Sequence, residues 1–420
     1  MTLTRAGSPA PSLETAAAAA DRDGGGLEAA LARWIRQRER SLLREMVTVV
    51  SQPGILSLAG GLPDAASFPR AEYAAALAAA LRDDPRALQY GPPVPRLKEH
   101  VVELMRWRGV ECSPEQVVIT TGAQQGIDVA SRLFLEAGSL VAYERFTYTG
   151  IHQAVGPFEP EVLVLPSDLE SGLEVDALAA ALAAGRRPRF LYAIPDAHNP
   201  LGVSLAPERR ERLVELAREH RMPIVEDDPY GLLGLDEGGF APPLRALDDQ
   251  WVIYLGSFSK ILAPGLRLGW MVVPAALVTR VSVVKEAGDL ESSSLTQRAV
   301  TRMLDSGFLP AHLERLRAIY RRRRDALLAA LERHLPTGAR WTRPGGGMFV
   351  WVELEDHGAP PLDTVAALRR CVAEAQVAFI PGAAFTRDPQ LGRQAVRLSF
   401  STLEPEDLDR AVEVMVRFLR

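Results

Sequence analysis

The chain has 420 residues, 47% of them hydrophobic, and a formal net charge of -5 at pH 7. That length and apolar content can bury a sizeable core in two or three domains. The acidic balance leaves no basic footprint for nucleic acid and no apolar run is long enough to cross a bilayer, so small-molecule partners are expected.

Residues 1–26 contain an alanine run, Ala16 to Ala20, and a glycine run, Gly24 to Gly26. Glu14 precedes the alanines and positive charge is scarce, which argues against a signal peptide; the segment is expected to be a disordered tail. Arg36 to Ser51 has helical spacing, and Gly54 to Pro63 runs extended into a loop. From there strands and helices alternate. The β-rich run Val117 to Thr120 ends in Thr121-Gly122-Ala123-Gln124, and an apolar-periodic helix follows to about Leu135. Further strands are predicted at Leu140 to Tyr143, Glu161 to Leu165, Arg189 to Ile194, Pro223 to Glu226 and Trp251 to Leu255, with helices at Val175 to Ala184 and Pro207 to His220. The alternation predicts an α/β fold with a mostly parallel sheet covered on both faces.

After a long helical region from Leu309 to His334, the apolar run Gly347 to Glu353, a helix near Leu362 to Glu374 and the run Val396 to Phe400 predict a smaller α+β domain. The expected division is a tail over 1–26, an N-terminal arm over 27–68 packing with the small domain, a large domain over 69–308 and the small domain over 309–420. Cys112 and Cys371 cannot form a disulfide framework and lack the neighbouring Cys or His of a metal site, so no metal is expected and a reducing cytoplasm fits.

The most informative stretch follows the run Trp251 to Leu255. Lys260 stands at that strand end, preceded by Ser257 and Ser259 and followed by a Pro264-Gly265 turn that brings back Arg267. This is the arrangement a pyridoxal phosphate site requires: an amine for the aldehyde, with hydroxyls and a guanidinium for the phosphate. The loop at Thr121 to Gln124, between a strand and a helix, offers backbone N–H groups and a positive helix end to the same phosphate. In Val225-Glu226-Asp227-Asp228-Pro229-Tyr230 a carboxylate stands at a strand's carboxyl end, where open α/β sheets bind ligands. Placed beside a pyridine nitrogen, it would keep that nitrogen protonated.

These motifs, with Glu144-Arg145-Phe146-Thr147-Tyr148, Asn199-Pro200 and Arg397, occur in the order found in fold-type I pyridoxal phosphate enzymes of the class I/II aminotransferases. From Arg40 to the C-terminus the chain resembles that family, and within it the branch of 2-aminoadipate and kynurenine aminotransferases. The resemblance implies a cytoplasmic homodimer using pyridoxal 5′-phosphate to move an amino group from an L-amino acid to a 2-oxo acid by a ping-pong mechanism. It implies Lys260, Asp227 and Tyr230 as catalytic residues, and Ala123 and Gln124 as phosphate contacts beside Ser257, Ser259 and Arg267. Tyr148 would stack on the cofactor ring, and Asn199 and Tyr230 would reach its phenolic oxygen. Arg397 would clamp the substrate α-carboxylate, with Asn199, Gly61 and Arg44 as further substrate contacts and Arg44 near the substrate side chain. Tyr90 would reach the phosphate of the partner subunit's cofactor.

Two departures from the family pattern stand out. Phe146 replaces the usual proline, and Pro93-Val94-Pro95-Arg96-Leu97-Lys98-Glu99 is about two residues shorter than usual and lacks the customary glycine before the Leu-Arg/Lys. The shortened loop keeps a second reaction class open on the same fold: β- or γ-replacement, decarboxylation or oxidation of an amino acid in specialised biosynthesis. A transcription regulator with an aminotransferase-like effector domain is disfavoured, because Met1 to Arg40 is too short and too rich in Ala and Gly for a winged helix.

Overall fold

In a computed structural model of the chain, residues 26–36, 54–355 and 362–419 are described. The chain divides into two units, Met1–Arg40 and Ser41–Arg420. The first contains a 3-10 turn at Leu27–Ala30 and one helical turn at Arg33–Arg36. Nearly all of the expected tail, and the helix expected beyond Arg36, lie outside the described residues.

The second unit holds seven strands of one sheet: β1 (Val117–Thr120), β2 (Leu140–Glu144), β3 (Glu161–Leu165), β4 (Leu191–Ala193), β5 (Ile224–Asp227), β6 (Val252–Ser257) and β7 (Gly269–Val272). Their order is β1-β7-β6-β5-β4-β2-β3, with the β6-β5-β4-β2-β3 pairs parallel. The central strands are buried at nearly every position and mostly apolar, as strands covered on both faces are, with Glu226 and Asp227 at the end of β5 among the exceptions. Alternate side chains therefore enter different clusters. Ile253 and Leu255 join Val225, Tyr192 and Met271 in one, whereas Tyr254 joins Ile119 and Trp270 in another. Helices run where the periodicity predicts them, at Ala123–Phe134, Val175–Ala183 and Pro207–His220.

The sequence predicts no strand at Gly269–Val272, since those residues follow the Pro-Gly turn with no polar break. They form β7, antiparallel to both β6 and β1, and fill the place between them.

A second, antiparallel sheet is ordered β8-β9-β11-β10, from β8 (Arg340–Trp341), β9 (Phe349–Glu353), β10 (Ile380–Pro381) and β11 (Ala395–Ser399). Helix Leu309–His334 shares a buried cluster with it, Tyr320 and Leu327 meeting the set that holds Phe349, Trp351 and Leu398. The extended segment after Gly54 is tied to this sheet. Leu58 N–H donates to the Ala378 carbonyl at 2.8 Å, and Ser399 N–H donates to the Leu58 carbonyl at 2.7 Å. Those bonds carry Ala59, Gly60 and Gly61 to the mouth of the cavity described next.

Candidate active site

A cavity of about 490 Å³ lies where several strands of the large sheet end, within the size range of small-ligand sites. Ala123 and Gln124 follow β1, Tyr148 follows β2 and Asn199 follows β4. Asp227 ends β5 with Tyr230 just beyond, and Ser257, Ser259 and Lys260 end and follow β6. Arg267 returns through the Pro264 turn. Gly61 and its neighbours, with Arg397 on β11, complete the lining. These predicted residues thus come together. Tyr90 does not line the cavity and is 76% exposed, and Arg44 lies outside the described residues.

Lys260 is fixed between two buried anchors, Phe258 and Ile261. Its Nζ donates to the Gly61 carbonyl at 2.7 Å. Removal from water, and the cations Arg397 and Arg267, push its pKa down to about 8, against the pull of Asp227. A lysine so placed is partly neutral near physiological pH and can act as a nucleophile or a base.

The three consecutive acids of β5 and its end have separate partners. Glu226 accepts from the backbone N–H groups of Leu244 and Arg245 at 2.7 and 2.8 Å. Asp228 accepts from the Tyr254 hydroxyl at 2.8 Å and lies 3.5 Å from Arg108. Among these acids only Asp227 lines the cavity. Its Oδ2 accepts from the Tyr192 hydroxyl at 2.6 Å, while the buried Oδ1 has no partner. Burial and the neighbouring Asp228 raise its pKa to about 7, opposed by Tyr192 and Lys260.

An anion cradle forms at the N-terminus of helix Ala123–Phe134. The first amides of a helix lack internal partners and point outward with the positive dipole end. Gly122 caps this helix at φ +85°, and a Cβ there would stand 2.7 Å from Arg267 Nη2. Glycine thus serves both the left-handed turn and the close approach. Arg267 Nη2 donates to the Thr121 carbonyl at 2.9 Å, while the Ser257 hydroxyl accepts from Ser259 N–H at 3.1 Å.

Arg397 is buried, with no carboxylate bound to it among the described residues. Its Nη1 donates to Asn199 Oδ1 at 3.0 Å and its Nη2 to the Ala59 carbonyl at 2.8 Å, leaving Nε unpaired. The guanidinium lies between two rings, 4.1 Å from the Phe349 centroid and 4.7 Å from that of Phe385. Burial pushes its pKa down to about 10, so it stays cationic at neutral pH and is open to an anion.

Phe146 does not line the cavity. Its ring packs 4.8 Å from that of Trp351, joining the turn after β2 to the second sheet, and Thr147 N–H donates to the Phe385 carbonyl at 3.0 Å. The short loop after Tyr90 is held by Gly91 N–H donating to Glu291 at 2.8 Å and Val94 N–H donating to Gln297 at 3.1 Å. Sequence reasoning missed Tyr192 and the carbonyls of Ala59 and Gly61. Residue type alone could not have found the tyrosine, because only the register of its strand against the one bearing Asp227 puts the two side chains together.

The profile of the family described as aminotransferase class I and II matches residues 27–415. A 2-aminoadipate transaminase of Thermus thermophilus is 40% identical, over 91% of this chain and 94% of that protein. Among solved structures, a kynurenine aminotransferase of Pyrococcus horikoshii in complex with PMP superposes with a TM-score of 0.87 at 34% identity, covering 94% of this chain and 98% of the other. An alpha-aminoadipate aminotransferase of Thermus thermophilus, solved with N-(5′-phosphopyridoxyl)-L-leucine, gives a TM-score of 0.84 at 38% identity, covering 94% and 98%.

Proposed function

This chain belongs to the class I and II aminotransferase family, and we propose the cavity bounded by Lys260, Asp227 and Arg397 as its catalytic centre. It is a pyridoxal 5′-phosphate-dependent aminotransferase of fold type I. The residues present fit that cofactor. Asp227 Oδ1 is a buried acceptor with no partner, as a protonated ring nitrogen requires, and the helix end beside Arg267 suits a phosphate. When bound, pyridoxal phosphate supplies an aldehyde for the amino group and an electron-poor ring that takes up the electrons of the broken Cα–H bond.

Each residue then has one task. Ala123, Gln124, Ser257, Ser259 and Arg267 would hold the phosphate, Tyr148 would cover the ring, and Asn199 and Tyr230 would address the phenolic oxygen. Asp227 would keep the ring nitrogen protonated. Arg397 would take the substrate α-carboxylate through its fork, with Asn199 and Gly61 lining the same cavity; Arg44, outside the described residues, is assigned to the substrate side chain. Lys260 would hold the cofactor's aldehyde through Nζ, and in its neutral form that nitrogen would accept the α-proton of the substrate. Below its pKa of about 8 Lys260 is protonated and cannot accept, so proton transfer is expected to strengthen as pH rises through that value.

The observation that carries this reading is the convergence on one cavity of an amine of lowered pKa, a carboxylate with one orphaned oxygen and an arginine that has no acid partner among the described residues. The reading is tested by adding single L-amino acids to the holoenzyme and following its visible absorbance. Some donor should convert the cofactor to its amino form, and 2-oxoglutarate, the acceptor we assign, should restore it. A panel in which no donor achieves this reversible change would count against transamination.

We further assign a homodimer in which Tyr90 reaches across to the neighbour's phosphate, supported by the exposure of Tyr90 and of Leu88 two residues before it. Sedimentation at assay concentration should give twice the chain mass; a monomer with full activity contradicts it. Free Cys112 and Cys371 support a reducing cytoplasm, and finding the native protein only in an oxidising compartment would overturn that. Among the described residues no helix is long and apolar enough to cross a membrane.

A further inference from the structure

Strands β4 and β5 are parallel with Tyr192 opposite Val225 and Ala193 opposite Glu226. Period two therefore puts Tyr192 on the sheet face that Val225 shares with Asp227, one same-side position away. The phenol spans that step, and its hydroxyl donates to Asp227 Oδ2 at 2.6 Å. Both side chains are buried, Tyr192 at 1% exposure and Asp227 at 4%.

We propose that Tyr192 is a positioning residue for Asp227, holding one carboxylate oxygen so that the other is presented, ionised, to the ring nitrogen of the cofactor. This rests on reading Asp227 as the ring-nitrogen partner. A phenol suits the task because it donates one hydrogen bond and adds no charge near neutral pH, so the carboxylate keeps its full negative charge for the ring. A histidine or arginine in its place would compete with the ring for that charge.

The groups that act on Asp227 come from several elements. Asp228, next in the chain, and burial disfavour its ionised form; Tyr192 from β4 and Lys260 from beyond β6 favour it. Tyr148 after β2 and Tyr230 after β5 lie within electrostatic reach of the same carboxylate. Tyr192 supplies the one side-chain hydrogen bond to Asp227 that the described residues show. Its ring belongs to the buried cluster of Tyr143, Ile194 and Leu255, so Tyr192→Phe keeps the packing and removes only the hydroxyl.

The test compares wild type, Tyr192→Phe, Asp227→Asn and the double variant, each stripped of cofactor and titrated with pyridoxal 5′-phosphate, with apoprotein melting as a control for folding. Tyr192→Phe is expected to weaken cofactor binding roughly tenfold, the scale of one hydrogen bond to a charged group. The loss should grow as pH falls toward about 7, where the unsupported carboxyl is protonated first. In the Asp227→Asn background the same substitution should cost nothing further. An equal, pH-independent loss in both backgrounds, or none in either, would overturn the role of Tyr192. Wild-type binding and ring protonation in Asp227→Asn itself would instead overturn the reading of Asp227.

Discussion

Lys260→Ala is expected to lower turnover by about four orders of magnitude, roughly 5.5 kcal/mol of transition-state stabilisation, because one substitution removes both the covalent anchor and the base. No other lysine lines the cavity among the described residues, so no nearby amine can substitute. Folding should survive, since the lost Nζ contributes one hydrogen bond to a loop carbonyl while Phe258 and Ile261 keep the backbone in place. The cradle at Ala123, Gln124 and Arg267 is untouched, so the variant should still take up cofactor, and a small primary amine in the buffer should restore part of the proton transfer. A variant within tenfold of wild-type turnover would place the base elsewhere.

Asp227→Asn should retain cofactor yet slow exchange of the substrate α-proton by about a hundredfold or more, roughly 3 kcal/mol. The substitution preserves shape and the hydrogen bond from Tyr192 but deletes the charge that holds a proton on the ring nitrogen. Glu226 cannot compensate, because its two oxygens are taken by the Leu244 and Arg245 amides. Asp228 cannot either, as it is bonded to Tyr254 and lies beside Arg108. Proton exchange measured by deuterium wash-in isolates this step from binding, and an unchanged exchange rate would remove Asp227 from the chemistry.

What could be read from the sequence follows from how locally each feature is encoded. Lys260, its serines and Arg267 lie within eleven consecutive residues, so their meeting needs only a strand end and a Pro-Gly turn, and the structure supplies both. The parallel sheet was legible because strands buried on both faces are short continuous apolar runs between helices. Tyr192 was not, because a tyrosine inside such a run reads as core until the neighbouring strand's register is known. The contacts of Ala59 and Gly61 are made by backbone carbonyls, which leave no mark on residue type. Strand β7 was hidden for a related reason: its residues look like the tail of a turn, and only pairing with β1 and β6 makes them a strand. Phe146, a visible departure from the family's proline, proves to join the turn after β2 to Trp351 rather than to line the cavity.

The most direct test of the central assignment is chemical. Borohydride reduction of the holoenzyme, followed by proteolysis and mass mapping, should place the phosphopyridoxyl mass on the peptide that contains Lys260 and nowhere else. The label on any other lysine, or no reducible bond in a protein that binds the cofactor and turns over, would contradict the account.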